Sequence, residues 1–455
     1  MRNKLNGSIQ ELTGLSFLCD CGKEHTSDVE DIFFGAGMLT RGGEAITSLG
    51  KKALLIADVH TWSRAGERAA GLLSGKIDVS TYVFPDEALV PDERALGRVL
   101  MELEPDTDLL VAVGSGTIND LTRYVSARTG IPYAVIGTAP SMDGYASVVA
   151  PLIRGGVKVT LPGVYPRIIV TDTDILADAP ERMLAAGFGD VIGKVTALLD
   201  WRLSHILNDE YTCETIMGLV QDAVNRCIEN APALRKRDAD GVEAVTETLL
   251  LTGLCIGFTG FSRPASGSEH HLAHYMEMIE LLEGKPMEWL HGNHVGMGTG
   301  AVLLLYEYLA GQDMAALLHS GKHRQFSLDA WERRLDEGFG PLSPEIKKSR
   351  RDYETGDPAK RDEVMERMVS RWDRVRDEVL ANAMDFDTYR EVMESAGAEW
   401  HPRQMGLDKE GFIRMIVLAK EIRTRYGILQ VLEDAGVLAE AAAWAADRYY
   451  GQGRS

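Results

Sequence analysis

A change in hydrophobic periodicity near residue 180 constrains the fold of this 455-residue chain more than any other feature. Before it, short apolar runs bounded by Gly, Pro or Asp alternate with helical patterns, and the runs lie at 53–57, 79–84, 109–113, 133–136 and 166–172. This alternation predicts a mostly parallel β-sheet covered by helices. Glycine and proline turn signals within 146–172 predict a hairpin inserted into the pattern.

After residue 180 a period of 3.6 residues dominates, and no further strand is predicted after 172. The helical patterns lie at 189–207, 213–230, 241–258, 268–283, 296–310, 362–381 and 409–425. We therefore expect two domains, an α/β domain at 1–179 and an all-helical domain at 180–455.

Charge and composition argue against several classes of function. The formal net charge of −20 removes most of the electrostatic drive for binding a nucleic-acid backbone. The chain shows neither an apolar run of the ~18 residues that a membrane span needs nor a signal-peptide pattern. Its five scattered cysteines do not form a disulfide framework. We expect a cytoplasmic protein that binds neither nucleic acid nor a membrane.

A glycine-rich segment, VGSGTIND at 113–120, follows one predicted strand and opens a helix. Such a segment is either an anion-binding loop, with backbone amides and a helix N-terminus facing a phosphate, or a simple strand–helix turn. Asp58 ends the strand at 53–57, where an acid can accept hydrogen bonds from a ribose. The usual dinucleotide fingerprint has its glycines before the acid, so the reversed order here suggests a nucleotide fold with a different strand order.

The loop at 137–147, GTAPSMDGYAS, follows the next predicted strand. Ligands bind at the carboxyl ends of parallel strands, and this loop offers hydroxyl groups and the carboxylate of Asp143. A plain polar loop remains the alternative.

Histidines cluster in the helical half, with five of the chain's 11 between 270 and 294. We expect Ser268 to cap a helix on which His270 and His274 share one face while His271 points elsewhere. His291 stands at another predicted helix start. Asp190 lies in the segment AGFGD, which we interpret as the beginning of a further helix. Imidazoles with one carboxylate suit a divalent transition metal that keeps an open coordination position.

A second metal-like pattern, CDCGKEH, contains Cys19, Cys21 and His25. It supplies three candidate ligands, whereas a closed structural zinc site needs four. Because no second pair lies nearby in the sequence, we favour a small N-terminal hairpin.

Taken in order, Asp58 and the segments GSGTIND, TAPSMDGYAS, GFGD, SGSEHHLAH and HGNHVGMG resemble the sn-glycerol-1-phosphate dehydrogenases. These enzymes belong to the iron-containing alcohol dehydrogenase and dehydroquinate synthase-like superfamily. The resemblance covers about residues 28–310, and the remaining helical part looks like the longer bacterial branch. It implies an N-terminal nucleotide-binding α/β domain, a C-terminal helical domain and a homo-oligomer.

The resemblance also implies roles for individual residues. Asp190, His270 and His291 would bind one divalent metal, which is zinc, iron or nickel in relatives. Asp143 and His274 would contact the substrate and act in catalysis, with Asp190 also near the substrate. Contacts to NAD(P)H would fall on Asp58, Gly114, Ser115, Gly116, Thr117, Ile118, Thr138, Ser141 and Ser147.

The implied reaction is the reversible reduction of dihydroxyacetone phosphate, a small phosphorylated triose, to sn-glycerol 1-phosphate. A phosphorylated substrate needs local positive charge in so acidic a chain, and Lys158, Lys194 and Arg263 are candidate cations. Three other functions remain open: a glycerol dehydrogenase, a dehydroquinate synthase-like lyase, and a non-catalytic nucleotide sensor.

Overall fold

The computed structural model describes residues 9–155, 157–285, 288–351, 354 and 356–451. Ten strands lie in the first part of the chain: β1 (Ser16–Leu18), β2 (Glu24–Thr26), β3 (Asp31–Gly35), β4 (Lys52–Asp58), β5 (Asp78–Phe84), β6 (Leu109–Gly114), β7 (Tyr133–Gly137), β8 (Val149–Arg154), β9 (Val157–Pro162) and β10 (Ile168–Asp172). In the described residues no strand follows β10, as predicted.

Six of these strands form one parallel sheet in the order β3-β10-β7-β6-β4-β5. Strand β4 pairs with β5 on one side and β6 on the other, with Ile56 opposite Tyr82 and Ala112. The four central strands are buried along nearly their whole length, which explains their continuous apolar runs. All five predicted strand positions are confirmed, and β3 is the one member of the sheet that the periodicity did not predict.

Two antiparallel hairpins lie outside the main sheet. The first joins β1 to β2, and the second joins β8 to β9 within the segment where turn signals predicted an insertion. Both hairpins are therefore confirmed, including the N-terminal one expected around Cys19 and Cys21.

Twenty-one α-helices are described. They are α1 (Met38–Ile46), α2 (Val59–Thr61), α3 (Glu67–Ser74), α4 (Glu93–Met101), α5 (Gly116–Thr129), α6 (Thr173–Ala177), α7 (Glu181–Asn208), α8 (Glu214–Glu229), α9 (Ala231–Arg235), α10 (Ala239–Thr259), α11 (Ser268–Leu282), α12 (His291–Ala310), α13 (Met314–Ser320), α14 (Leu328–Phe339), α15 (Ser343–Arg350), α16 (Pro358–Ser370), α17 (Trp372–Glu378), α18 (Phe386–Ala396), α19 (Lys409–Ala419), α20 (Ile428–Asp434) and α21 (Leu438–Gly451).

Two expectations about helix ends are wrong. The helix that carries Asp190 begins at Glu181, so the carboxylate is nine residues inside α7 and not in its first turn. Ser268 is the first residue of α11, and Gly267 occupies the cap position before it. Glycines at 187 and 189 suggested the first boundary, and the second was placed at Ser268 because serine often caps helices.

The chain forms two compact units. One consists of Met1–Val191, Glu214–Ala265 and Ser395–Gly397, and the other of Ile192–Cys213, Ser266–Glu394 and Ala398–Ser455. The units are interleaved along the sequence because helices α8 to α10 belong with the sheet-containing unit. The domain boundary between residues 179 and 180 separates strand-containing from helical sequence and stays a prediction.

One described helix, α10, is long and apolar enough to cross a membrane, but 78% of its apolar window is buried inside the protein. Helices α12 and α13 meet the same test only as a pair bent by 82°. Burial of this kind is typical of core helices, and it accounts for the apolar character of α10.

Candidate active site

Three predicted metal ligands come together on three helices. Asp190 lies in α7, His270 in the first turn of α11 and His291 at the start of α12. Each offers one ligand atom, and the three atoms all lie within 4.8 Å of one another. Asp190 is fully buried, His270 is buried and His291 is partly exposed.

Two buried glutamates orient these imidazoles. The Nδ1 atom of His270 lies 2.8 Å from Oε1 of Glu269, and the Nδ1 atom of His291 lies 2.7 Å from Oε1 of Glu277. A carboxylate accepts the Nδ1 proton, so Nε2 of each ring keeps its lone pair for a metal. Neither glutamate was predicted from the sequence, because an acid beside a histidine has no periodic signature.

This donor set fits a divalent transition metal. One carboxylate and two imidazoles are ligands that zinc, iron and nickel all accept, and three protein ligands leave room for a substrate oxygen. The glutamate partners provide the outer hydrogen bonds that metal-binding histidines usually have.

Glu269 is held in place within α11 and by α7. Its carboxylate accepts hydrogen bonds from the Gly267 amide at 2.6 Å and the Thr196 hydroxyl at 2.7 Å. Burial raises the pKa of Glu269, while the hydrogen bonds and the nearby Lys194 oppose that rise. Lys194 is fully buried, and its charge therefore acts on this carboxylate.

The start of α11 is fixed by Asp200 of α7. This buried carboxylate accepts hydrogen bonds from the Ser268 amide at 2.7 Å, the Ser268 hydroxyl at 2.5 Å, the Tyr306 hydroxyl at 2.6 Å and the Ile428 amide at 2.9 Å. Burial raises its pKa despite these bonds. The position of His270, two residues after Ser268 in the same turn, is thereby set by a network of four hydrogen bonds.

His274 lies one turn after His270 on the same helix face, and their ring centroids are 6.1 Å apart. Its Nε2 atom lies 2.8 Å from Nη2 of Arg423 and its Nδ1 atom 3.0 Å from Oε2 of Glu277. Because a guanidinium only donates, Nε2 accepts from Arg423 and Nδ1 donates to Glu277. Glu277 therefore bridges His274 and His291 through its two oxygens.

Arg423 is a partly exposed cation that the sequence did not single out. Burial lowers the pKa of its guanidinium, while the carboxylates of Glu277 and Glu269 act in the opposite direction. An arginine remains charged in proteins at neutral pH, so a permanent positive charge lies beside His274.

The predicted nucleotide residues lie at the carboxyl ends of adjacent strands. Gly114 ends β6 and Gly137 ends β7, and the Thr138 amide donates to the Gly114 carbonyl at 3.2 Å. A Cβ atom on Gly114 would meet Cβ of Ile118 at 2.7 Å, so only glycine allows this close strand–helix packing. Ser115 makes no side-chain cap bond to α5, so its hydroxyl does not occupy the amides of the first helical turn, which are the groups that bind anions in such loops.

Strand order explains why the acid precedes the glycines. The chain places β5 on one side of β4 and then β6 on the other, which creates a topological switch point between β4 and β6. Asp58 ends β4 and Gly114 ends β6, at neighbouring positions on this edge. Oδ1 of Asp58 accepts from the amides of His60 and Thr61 at 2.9 and 2.8 Å, so this carboxylate also caps α2.

The loop at 137–147 is tied to α7. The Asp143 amide donates to Oδ2 of Asp190 at 3.0 Å, which joins the predicted substrate residue to a predicted metal ligand. Ser141 and Ser147 are buried, and the Ser147 hydroxyl accepts from the Val149 amide at 3.2 Å.

A buried arginine of α5 orders the same loop. Arg123 donates to the carbonyls of Gly144, Tyr145 and Val149, the last two both at 3.1 Å, and forms a 2.7 Å ion pair with Asp120. Neither residue was predicted to support the site, since an ordinary helix face carries the same charge pattern.

Two further histidines lie outside the three-ligand group. His271 is buried on another face of α11, as the helical spacing predicted. His294 is fully buried and lies 3.4 Å from Oε1 of Glu280. Of the candidate phosphate cations, Arg263 is buried and Lys158 is partly exposed within β9.

Comparison with known proteins identifies the family. The family model for iron-containing alcohol dehydrogenase matches residues 33–180. The glycerol-1-phosphate dehydrogenase [NAD(P)+] of Halalkalibacterium halodurans is 36% identical over 337 residues, covering 73% of this chain and 84% of that protein. The protein of the same name from Geobacillus thermodenitrificans is 31% identical and covers 84% of this chain and 87% of its own length.

A solved structure agrees with the fold. The glycerol dehydrogenase of Schizosaccharomyces pombe superposes with a TM-score of 0.60 at 16% identity, covering 93% of this chain and 92% of that one. The predicted fold class, a nucleotide-binding α/β part followed by an all-helical part, is confirmed. The chain belongs to the glycerol-1-phosphate dehydrogenase family.

Proposed function

We propose that this protein catalyses the reversible NAD(P)H-linked reduction of dihydroxyacetone phosphate to sn-glycerol 1-phosphate. The observation that carries the proposal is the grouping of Asp190, His270 and His291, with oriented imidazoles, in a chain of this family. When bound there, a divalent metal supplies Lewis-acid polarisation of a carbonyl oxygen. The nicotinamide supplies the hydride, and the protein orients it.

The protein's own groups have separate tasks in this proposal. Asp58 accepts hydrogen bonds from the ribose, and the first turn of α5 from Gly116 to Ile118 donates its amides to the pyrophosphate. Gly114 and Ser115 form the turn before this helix, and Thr138, Ser141 and Ser147 line the adjacent loop. In this proposal the ribose and the pyrophosphate of the nucleotide therefore bind at the ends of two neighbouring strands.

Near the triose, Asp143 forms a hydrogen bond with a substrate hydroxyl, and His274 donates or accepts the proton of the reacting oxygen. The Nε2 atom of His274 accepts a hydrogen bond from Arg423, so proton exchange at Nε2 requires the guanidinium to turn away. A dianionic phosphate attracts a guanidinium strongly, and arginine matches its geometry. Arg423 therefore binds the substrate phosphate in this proposal and releases Nε2 of His274 when it does so.

The test of the overall function is an assay of metal-replete protein with NADH and dihydroxyacetone phosphate, followed by chiral analysis of the product. Sustained NADH oxidation that yields the sn-1 enantiomer supports the proposal. Turnover of glycerol or dihydroxyacetone without preference for the phosphorylated forms would indicate a glycerol dehydrogenase. Absence of net NADH oxidation would leave the lyase or the nucleotide sensor.

The proposed role of Arg423 in binding the phosphate is tested by comparing a phosphorylated with an unphosphorylated substrate. In Arg423→Gln we expect KM for dihydroxyacetone phosphate to rise at least 10-fold while turnover of unphosphorylated dihydroxyacetone changes less, because a charged hydrogen bond contributes about 1.5–3 kcal/mol. Arg403→Gln is the matched control, because Arg403 contacts the ring of Tyr450 and takes no part in the histidine cluster. An equal effect on both substrates would assign the phosphate to another cation.

We further propose that the protein acts in the cytoplasm as a homo-oligomer. All five cysteines are thiols and none forms a disulfide, as expected in a reducing compartment. Subcellular fractionation and light scattering of the purified protein test the two statements.

A further inference from the structure

The N-terminal hairpin gathers thiol and imidazole groups at one end. Between β1 and β2 the Cys19 amide donates to the Lys23 carbonyl at 2.9 Å, and the Gly22 amide donates to the Cys19 carbonyl at 2.9 Å. Gly22 adopts φ of +83°, which side-chain-bearing residues rarely do, and so allows this tight reversal. The Cys21 thiol lies 3.4 Å from Nε2 of His25 as a result.

A fourth group comes from a distant part of the sequence. Cys213 directly precedes α8, and its thiol joins those of Cys19 and Cys21 and the His25 imidazole. The four ligand atoms all lie within 4.8 Å of one another. Next to them, the Cys19 thiol lies 3.5 Å from the Thr215 hydroxyl in the first turn of α8. The missing fourth ligand that argued against a zinc site in the sequence is therefore present in the fold.

The separation of one ligand pair, Cys21 and His25, fits tetrahedral coordination. Zinc bonds of about 2.3 Å to sulfur and about 2.0 Å to nitrogen place neighbouring ligand atoms about 3.6 Å apart in a tetrahedron. The 3.4 Å between Cys21 Sγ and His25 Nε2 is close to that edge length. Cys19, His25 and Cys213 are buried and Cys21 is partly exposed, so an ion here would be largely shielded from water.

The histidine is already in the tautomer that a metal requires. Nδ1 of His25 lies 2.6 Å from the carbonyl oxygen of Phe258 in α10. A carbonyl only accepts, so Nδ1 carries the proton and Nε2 directs its lone pair towards the thiols. This is the outer hydrogen bond that typically orients a metal-binding imidazole.

We propose that Cys19, Cys21, His25 and Cys213 bind one zinc ion in a closed structural site. The site shares no residue with the group formed by Asp190, His270 and His291. Three thiolates select a soft or borderline metal such as zinc, and four protein ligands leave no position for substrate.

The hairpin explains why such a site would be useful. Its strands β1 and β2 have three residues each, and a two-stranded hairpin of that length is marginally stable alone. Zinc joins the hairpin to the beginning of α8, while the hydrogen bond of His25 joins it to α10. The metal thereby anchors a hairpin in which Phe17 and Cys19 are the buried apolar side chains and Leu18 is exposed.

Elemental analysis of the full-length protein, purified under reducing conditions and loaded with zinc, tests the stoichiometry. We expect two zinc equivalents per chain in the wild type and one in His270→Ala, which keeps the thiolate site. Cys213→Ser and His25→Ala lose one equivalent, whereas His25→Cys keeps two because a fourth thiolate replaces the imidazole. Cys227→Ala is the matched control, since this buried cysteine of α8 lies outside the cluster, and it keeps two.

Cobalt substitution tests the ligands in wild-type protein and so does not depend on the folding of a variant. We expect thiolate-to-cobalt charge-transfer absorption in the near ultraviolet for the wild type and for His270→Ala, and weaker absorption in Cys21→Ser, which removes one of the three thiolates. A single metal equivalent in the wild type that His270→Ala removes, a cobalt spectrum without thiolate bands, or a Cys19–Cys21 disulfide in the reduced preparation would each overturn the proposal. Because these readouts involve no turnover, a failure of the proposed dehydrogenase activity would leave this inference unaffected.

Discussion

Gly187 lies where α7 passes directly against the backbone of the loop at 137–147. A Cβ atom placed on this glycine would lie 1.7 Å from the carbonyl oxygen of Pro140 and 2.9 Å from its carbonyl carbon. Neither atom belongs to a flexible side chain, so Gly187→Ala can be accommodated only if the loop backbone moves away from the helix.

The size of that movement follows from the geometry. Ordinary contact begins at 3.4 Å, so the Pro140 carbonyl must retreat by about 1.7 Å from a methyl group at 1.7 Å. The 3.0 Å hydrogen bond from the Asp143 amide to Asp190, three residues along the same loop, would not survive a shift of this size. Overpacking costs about 1–3 kcal/mol of stability. Displacing a positioning group by about 1 Å costs about 100-fold in rate.

We therefore expect Gly187→Ala to lower kcat/KM for dihydroxyacetone phosphate by about 100-fold in protein that still folds. Steady-state kinetics measure kcat/KM, and far-ultraviolet circular dichroism shows whether the variant is folded. Gly71→Ala is the matched control, because a Cβ atom on this glycine of α3 meets nothing within 4 Å. Wild-type kcat/KM in Gly187→Ala would refute the claim that this contact fixes the loop.

Three further predictions concern other parts of the molecule. In Glu277→Gln we expect metal affinity, measured by competition with a chromogenic chelator, to fall about 10- to 100-fold, because an amide cannot accept both imidazole protons. The metal affinity of the control Glu283→Gln should stay unchanged. Burial lowers the pKa of His401 below 6.5, so the unfolded state binds more protons and the free energy of unfolding falls as the pH drops through about 6.5. In His401→Gln we expect the denaturant midpoint to depend less on pH. An equal pH dependence of the midpoint in both proteins would exclude His401 as the cause. In Asp58→Ala we expect the ratio of kcat/KM for NADH over NADPH to fall, because the carboxylate repels a 2′-phosphate, and an unchanged ratio would remove Asp58 from the cofactor site.

The sheet could be predicted from the sequence because its central strands are buried on both faces. Such strands are continuous apolar runs, and turn residues bound them. Strand β3 was missed because its apolar run is only three residues long, Ile32 to Phe34, which is shorter than the run at 79–84 that predicted β5, the other edge strand. The beginning of α7 was misplaced for a different reason: Gly187 serves close packing against Pro140 and does not end or begin a helix.

The candidate site could be predicted only in part. The four-residue spacing of His270 and His274 places them on one helix face by geometry alone. Glu277 and Arg423 acquire their roles through contacts between segments far apart in the chain, and no local pattern marks them. Cys213 shows the same limit most clearly, since its nearness to Cys19 depends on how α8 packs against the hairpin.

The hydrogen bonds that Arg123 donates to the loop have a consequence for how the two substrates bind. One side chain, anchored in the helix that begins at the nucleotide loop, holds three carbonyls of the segment that follows Asp143. Helix and segment must therefore shift as a single rigid piece. Occupancy by the coenzyme would then stiffen the part of the protein that receives the triose, which favours a compulsory order of addition with the coenzyme first.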